Sequence, residues 1–362
     1  MIDQFALSMG FRFGINYVAS DTIFRHGLLS KLMVALVQPI PFSKGSSDFV
    51  AVKNMISVVK DGGCVAMFPS GNRSFFGEEN TIVSGIGRLV KTLNAPLVLV
   101  QIKGGYNTKA RWKAKTNKGK MTASVVKTLQ TDELSRLTNE ELDKIILDVL
   151  SFNEYKYNKE AQIVYRGNHK AEYLESVLFY CPECSSLTGL HSKGNEFLCR
   201  DCKMKVRINE TGFFERVQSA EKTPETILDW GHKQLDFVKS FDFSPYKDTP
   251  LFCDHNISLM KAERAKKEYL LGKGAIELFE DRLCICGQMF YFKDITMAIQ
   301  GVRKLTIYRD AEVYAVKSPF RTNLMKYMVY GYHFRNKNLD ACVSSIKGGN
   351  QKNNPPKEYY GY

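Results

Sequence analysis

No stretch of this chain approaches the roughly 18–20 consecutive apolar residues that span a bilayer. The longest apolar-leaning segments, around Leu32–Val37 and Pro96–Ile102, have the length of a strand or short helix. The first ten residues, MIDQFALSMG, hold no basic cluster and no cleavage pattern, so they do not read as a secretory leader. No internal repeat is visible, which argues against solenoids and propellers. A disulfide framework is missing too: of nine cysteines, four form two Cys-x-x-Cys pairs and five are scattered, as suits a reducing cytosol. The expected location is therefore cytoplasmic. At 44% hydrophobic and 25% charged, the 362 residues are neither disordered nor collagen-like, and their number suggests two or three domains.

Acidic residues are in short supply. Fifty-one Lys and Arg face 38 Asp and Glu, a formal charge of +13, which points to an anionic partner. Nucleic acid, an acidic membrane surface and a phosphorylated substrate all qualify. Between Lys103 and Lys127 lie eight Lys or Arg and no acid, with the Ser/Thr/Val alternation of a hairpin-like excursion.

The first 130 residues alternate as α/β. Ile15–Ser20, the Pro39–Phe42 segment, Cys64–Phe68 and Pro96–Ile102 read as strands, with helices over Asp48–Asp61 and Ile82–Leu93. Strands apolar on both faces and separated by helices predict a mostly parallel sheet flanked by helices. Thr138-x-x-Glu141 is a capping box, followed by the apolar stripe Leu142, Ile145, Ile146, Val149. Another helix is expected near Pro224–Ser240. Beyond it, Ala275–Val316 reads as short alternating strands, with a closing helix over Asn323–Phe334 and a polar tail.

Two segments carry chemistry at strand ends. Phe68-Pro69-Ser70-Gly71-Asn72-Arg73-Ser74 ends an apolar strand in a turn whose arginine could grip a phosphate in bidentate fashion, with Gly71 admitting backbone N–H groups. Pro39-Ile40-Pro41-Phe42-Ser43-Lys44 puts a second cation at a strand end. These segments, with Ala95-Pro96-Leu97-Val98-Leu99-Val100 after them, resemble the ordered blocks of the lysophosphatidic acid acyltransferases, of the glycerolphosphate acyltransferase superfamily. The resemblance covers residues 1–175. It implies acyl transfer from acyl-CoA or acyl carrier protein to the hydroxyl of a lysophospholipid, with 1-acylglycerol 3-phosphate the favoured acceptor, in phospholipid biosynthesis. Lys44 and Arg73 would hold the acceptor phosphate, and Ser70, Gly71, Asn72 and Ser74 would shape the pocket. The enzyme would sit peripherally on the inner face of the membrane.

Two departures stand out. Where the family's third block has glutamate and threonine, this chain has Ser70 and Asn72. The first block, Asn-His-x-x-x-x-Asp, is represented only by Asp3, because none of the six histidines is followed five residues later by aspartate. Counting back from Asp3, the general-base histidine would lie three positions before Met1. The sequence is thus expected to begin inside its own catalytic block, and the chain as given to be weakly active or inactive.

Cys181-Pro-Glu-Cys184 and Cys199-Arg-Asp-Cys202, fourteen residues apart, match a four-thiolate structural zinc site, each knuckle delivering two ligands. His191, between them, is expected to be exposed rather than a ligand. Cys284 and Cys286 are expected on one strand face. The organisation expected is an acyltransferase-like domain over 1–175, a zinc ribbon over 176–215, a β-rich domain with a closing helix over 216–345, and a disordered tail over 346–362. The β-rich domain resembles a pleckstrin-homology domain by topology alone, with a generic β-domain as the equal alternative. Two other functions compete: a non-catalytic lipid-binding scaffold, and a zinc-ribbon nucleic-acid-binding protein. The latter accounts for the charge and the cysteines but leaves the ordered blocks unexplained.

Overall fold

The computed structural model describes residues 2–20, 39–42, 49–71, 73–79, 81–83, 85–262, 268–310 and 312–335. The expected tail and Cys342 fall outside them.

Three strands form a parallel sheet, with Ile15–Ser20 in the centre between Ile40–Phe42 and Cys64–Ala66. Val18 pairs with Ile40 and Ile15 with Cys64, so the carboxyl ends of all three strands share one edge. Helix Phe49–Lys60 connects two of them and buries Ala51 and Met55 against Ile40. Helix Ile2–Ser8 is tied to the central strand through Tyr17. Its hydroxyl meets Ser8 Oγ at 2.7 Å and donates to the Gln4 carbonyl at 3.0 Å.

The fourth expected strand does not join this sheet. Leu97–Lys103 pairs antiparallel with Thr122–Leu129, residue for residue apart from one irregularity, because the basic segment folds back on it. Of Leu97–Lys103 only Leu99 is buried, and Cys64–Ala66 is half-buried. Three of the four expected strands thus form the parallel sheet, the fourth is corrected to an antiparallel pair, and Cys64–Ala66 is half-buried rather than fully buried. Helix Ile86–Leu93 starts later than its apolar spacing suggests, because Gly85 at φ 80° breaks the chain direction just before it. Gly87 has no room for a Cβ, which would lie 2.3 Å from the Asn139 carbonyl, and this lets the helix seat on Asn139–Leu150. Leu142 and Ile146 are buried there with Ile86, Val90, Leu99 and Leu129. The capping box forms: the Thr138 hydroxyl accepts from Glu141 N at 3.1 Å, and Thr138 N donates to the Glu141 carboxylate at 2.7 Å.

The cysteine-bearing segment builds a four-stranded antiparallel sheet in the order Phe214–Gln218, Lys205–Ile208, Glu196–Cys199, Leu190–Lys193. Helix Ile227–Lys239, capped by Thr226, packs Trp230 on Phe197 and Phe214. Seven antiparallel strands follow, with Phe252–Ala262 in the middle, and helix Leu324–Phe334 closes them. The middle strand lies upstream of the region where strands are expected. Its hydrophobic alternation is hidden by Asp254, His255 and Asn256. Cys286 is not on a strand. With Gly287 it forms the turn, at φ 51° and 83°, between Arg282–Ile285 and Gln288–Tyr291. One hydrophobic core runs without a break from Phe75 and Phe76 through Trp230 to Tyr327 and Tyr330.

Candidate functional site

Strand Cys64–Ala66 ends at the shared edge of the parallel sheet, and the phosphate-type turn follows it at once. Gly71 N donates to the Phe68 carbonyl at 2.9 Å, with Gly71 at φ 69°, a left-handed position that costs glycine nothing. Val83 N donates to the Pro69 carbonyl at 2.8 Å and closes the loop. Arg73 is exposed, and its Nη1 donates to the Lys109 carbonyl at 3.3 Å. Ser74, expected to help shape the pocket, bonds within the loop itself. Its hydroxyl oxygen accepts from the N–H groups of Phe76, Gly77 and Glu78 at 2.8–3.2 Å, so it braces the loop.

Three side chains that the motif does not contain complete the site. Arg111 lies 4.0 Å over the Phe75 ring, donates to the Arg73 carbonyl at 3.2 Å and reaches the Ile299 carbonyl at 2.8 Å. Burial, then the Arg73 charge, pushes its guanidinium down to about 9, against the pull of Glu79. Glu79 is pushed up to about 8 by burial, against hydrogen bonds to Ser70 and Thr81 and the charge of Arg111. Lys109 is held below its ordinary range by burial and by Arg73. A carboxyl group therefore stands at Ser70, supplied from nine residues downstream. Lys109 and Arg111 were visible in sequence only as members of a basic run, and nothing local marks Glu79 as buried.

Of the other expected site residues, Asp3 lies on helix Ile2–Ser8, but its side chain, like Lys44 and Asn72, falls outside what the structure describes. Strand Ile40–Phe42, which precedes Lys44, ends at the same sheet edge as the strand before Arg73.

The four cysteines do come together. Their sulfurs all lie within 4.8 Å of one another, with Cys181 to Cys202 and Cys184 to Cys199 both 3.8 Å. A tetrahedron with metal–sulfur bonds of about 2.3 Å has edges of about 3.8 Å, so the group could hold a metal ion such as zinc. Each knuckle closes on a residue with positive φ, Ser185 and Lys203. Gly189 sits against the cluster, where a Cβ would lie 2.8 Å from Cys199 Sγ. Burial pushes the Cys181 thiol up, against N–H groups from Cys184 and Glu183, and burial likewise raises Cys199. A cation that replaces those protons fits this donor set. The Ser186 hydroxyl bonds the Asp201 carboxylate and links the two knuckles. Trp230 Nε1 donates to the Tyr180 carbonyl at 2.8 Å and fixes the first one. His191 is half-buried and turns to Glu175, with Nδ1 at 3.9 Å.

Among the described residues no helix is long and apolar enough to cross a membrane. Compared with known families, curated proteins and solved structures, the chain has no significant match.

Proposed function

We propose that the chain is a peripheral membrane acyltransferase of the lysophosphatidic acid type, with a structural zinc site. The observation that carries this reading is the Phe68–Ser74 turn at the carboxyl edge of a parallel sheet. There Arg73 is exposed, Lys109 and Arg111 stand beside it, and Glu79 meets Ser70. Open α/β sheets bind ligands at that edge, and an exposed guanidinium suits a phosphate monoester. The carboxyl group of Glu79, protonated at neutral pH, answers the departure at Ser70: the acid that the motif lacks returns in space.

Acyl transfer then needs a base on the acceptor hydroxyl, an acyl thioester from coenzyme A or acyl carrier protein, and water kept away. The hydroxyl attacks the thioester carbonyl, the thiolate leaves, and the hydroxyl proton passes through the base to that thiolate, giving the free thiol. Asp3 would orient an imidazole placed five residues before it. Exposed Val98, Val125 and Val126, on the hairpin that also carries Lys120 and Lys127, suit contact with an anionic lipid surface. Each Lys or Arg near such a surface contributes about 1 kcal/mol. The seven-stranded sheet with its closing helix would, as a pleckstrin-homology-like module, add to that contact.

The test is transfer from labelled acyl-CoA to lysophosphatidic acid. We expect phosphatidic acid from a chain extended by Asn-His and two further residues, which puts the histidine three positions before Met1. Residues 1–362 alone should give at least 10²-fold less, because general-base catalysis typically supplies about 10²–10⁴-fold. Equal transfer by both chains would contradict this account of the base. Acceptor binding with transfer by neither would select the lipid-binding scaffold.

A further inference from the structure

A second cationic site lies apart from the Arg73 turn. A small, half-open cavity of ≈ 20 Å³ lies between the basic segment after Gly105 and the turn joining Lys205–Ile208 to Phe214–Gln218. Lys113 and Lys170 line it, each only 6% exposed, and neither ammonium has an ion pair among the described residues. Asn107 lines it as well, 8% exposed, and its Nδ2 finds no hydrogen-bond partner. Asn117 contributes an Nδ2 already bonded to the Asn107 carbonyl at 2.8 Å. Asn209 offers no spare acceptor, since its Oδ1 takes N–H groups from Thr211 and Phe213 and the Thr211 hydroxyl. None of the residues lining the cavity is a carboxylate.

The wall therefore holds two lysines and an unpaired amide N–H group with no carboxylate among its residues, beside Tyr106, Tyr165 and the apolar Ala110, Trp112 and Ile208. Gly212, at φ 91°, lets the far turn close on it, since a Cβ there would lie 2.5 Å from Asn107 Oδ1. Two lysines buried this far with no ion pair among the described residues are unfavourable, and the unmade buried hydrogen bond at Asn107 adds to the cost. A bound anion relieves both. We propose that this cavity binds one doubly charged tetrahedral oxyanion, as phosphate or the terminal phosphate of a small monoester, held by Lys113, Lys170 and the Asn107 amide. The site stands on residues that the acyl-transfer reading does not use.

Electrostatics around the cavity agree. Burial first, then Lys170 and Lys109, pushes Lys113 down to about 7. Burial lowers Lys170, against the more distant charges of Glu210 and Glu215. Tyr106, pushed up to about 12 by burial, and Tyr165, raised in the same way, stay neutral at working pH. Binding of a dianion should then draw a proton onto Lys113.

The experiment is calorimetric titration with sulfate, whose own charge is constant near neutrality, on the Arg73→Ala protein so that the first site is silent. One site is expected at pH 7, weakened at least tenfold by Lys113→Gln and by Lys170→Gln. The unsubstituted protein should bind more weakly at pH 9 than at pH 6, an arm that does not depend on any variant folding. Paired buffers at pH 7.5 should show proton uptake that Lys113→Gln abolishes. Displacement by inorganic phosphate and by glycerol 3-phosphate identifies a monoester site, and displacement by phosphate alone identifies a free-ion site. No binding in Arg73→Ala, undiminished binding in both lysine variants, or sulfate that neither competitor displaces overturns the proposal.

Discussion

Arg73 and Glu79 divide the work of the candidate site by solvent access. Arg73 is exposed and can meet a ligand, whereas Glu79 is held inside against Ser70, Thr81 and Arg111. Because Glu79 in the folded chain titrates near 8 rather than in the ordinary carboxylate range, the folded state keeps a proton that the unfolded chain has lost. Its contribution to stability is fully present below about pH 4.5 and fades as pH rises through about 8. The loss across that window is of the order of 5 kcal/mol. Glu79→Gln keeps the protonated shape and should flatten this slope, leaving the variant the more stable protein at pH 8.5. Thermal melts of both proteins from pH 5 to 8.5 check it, and parallel slopes would show that Glu79 is ionised in the fold.

Residue types at short spacing were readable in the sequence, and their surroundings were not. Two Cys-x-x-Cys pairs foretell a four-sulfur cluster because each knuckle fixes its own geometry within a few residues. The burial of Glu79 depends on Ser70, Thr81 and Arg111, which meet only after the basic segment has folded back. Serine at position 74 fits the family motif, yet its hydroxyl is spent on three backbone N–H groups. A motif match alone could not reveal that.

Elements held by local rules followed their sequence. The capping box at Thr138 starts helix Asn139–Leu150 as expected, since both of its hydrogen bonds lie within four residues. Thr138→Ala should remove about 1 kcal/mol and lower the melting temperature by about 2 °C. An unchanged melting curve would mean that packing of Leu142 and Ile146 alone holds the helix. The strand Leu97–Lys103 went the other way. Its residues suit a buried parallel strand, but the partner is chosen by chain return, and Thr122–Leu129 comes back to it first. Helix Ile86–Leu93 was shortened by one left-handed glycine.

The four-sulfur cluster belongs to this scale as well, because it pins two knuckles, and through Trp230 the helix behind them, with no disulfide. Purified reduced protein should carry about one zinc per chain. Cys199→Ser should lose the metal and lower the melting temperature by several degrees. Affinity should weaken on acidification, since protons compete for thiols that burial already favours in the neutral form. A folded, reduced sample free of metal would count against the site.

At the scale of the whole molecule, one core joins the segment after the Arg73 turn to the cysteine-bearing sheet and the seven-stranded sheet. Arg111 makes the same join by hydrogen bonds, touching Arg73 on one side and Ile299 on the other. The excess positive charge also has an address: Arg73, Lys109, Arg111, Lys113 and Lys170 run from the sheet edge to the cysteine-bearing unit, and burial lowers four of the five. Partly enclosed cations such as Arg111, Lys113 and Lys170, beside the exposed Arg73, favour a small phosphorylated ligand over the broad phosphate track of a nucleic acid. The measurement that tests the central claim most directly is the affinity of residues 1–362 for lysophosphatidic acid below its micellar concentration, beside the Arg73→Ala variant. Saturable binding, weakened at least tenfold by the substitution and not matched by a lysophospholipid whose phosphate is esterified, is the predicted result. Equal affinity of the two proteins would contradict a phosphate site at this turn.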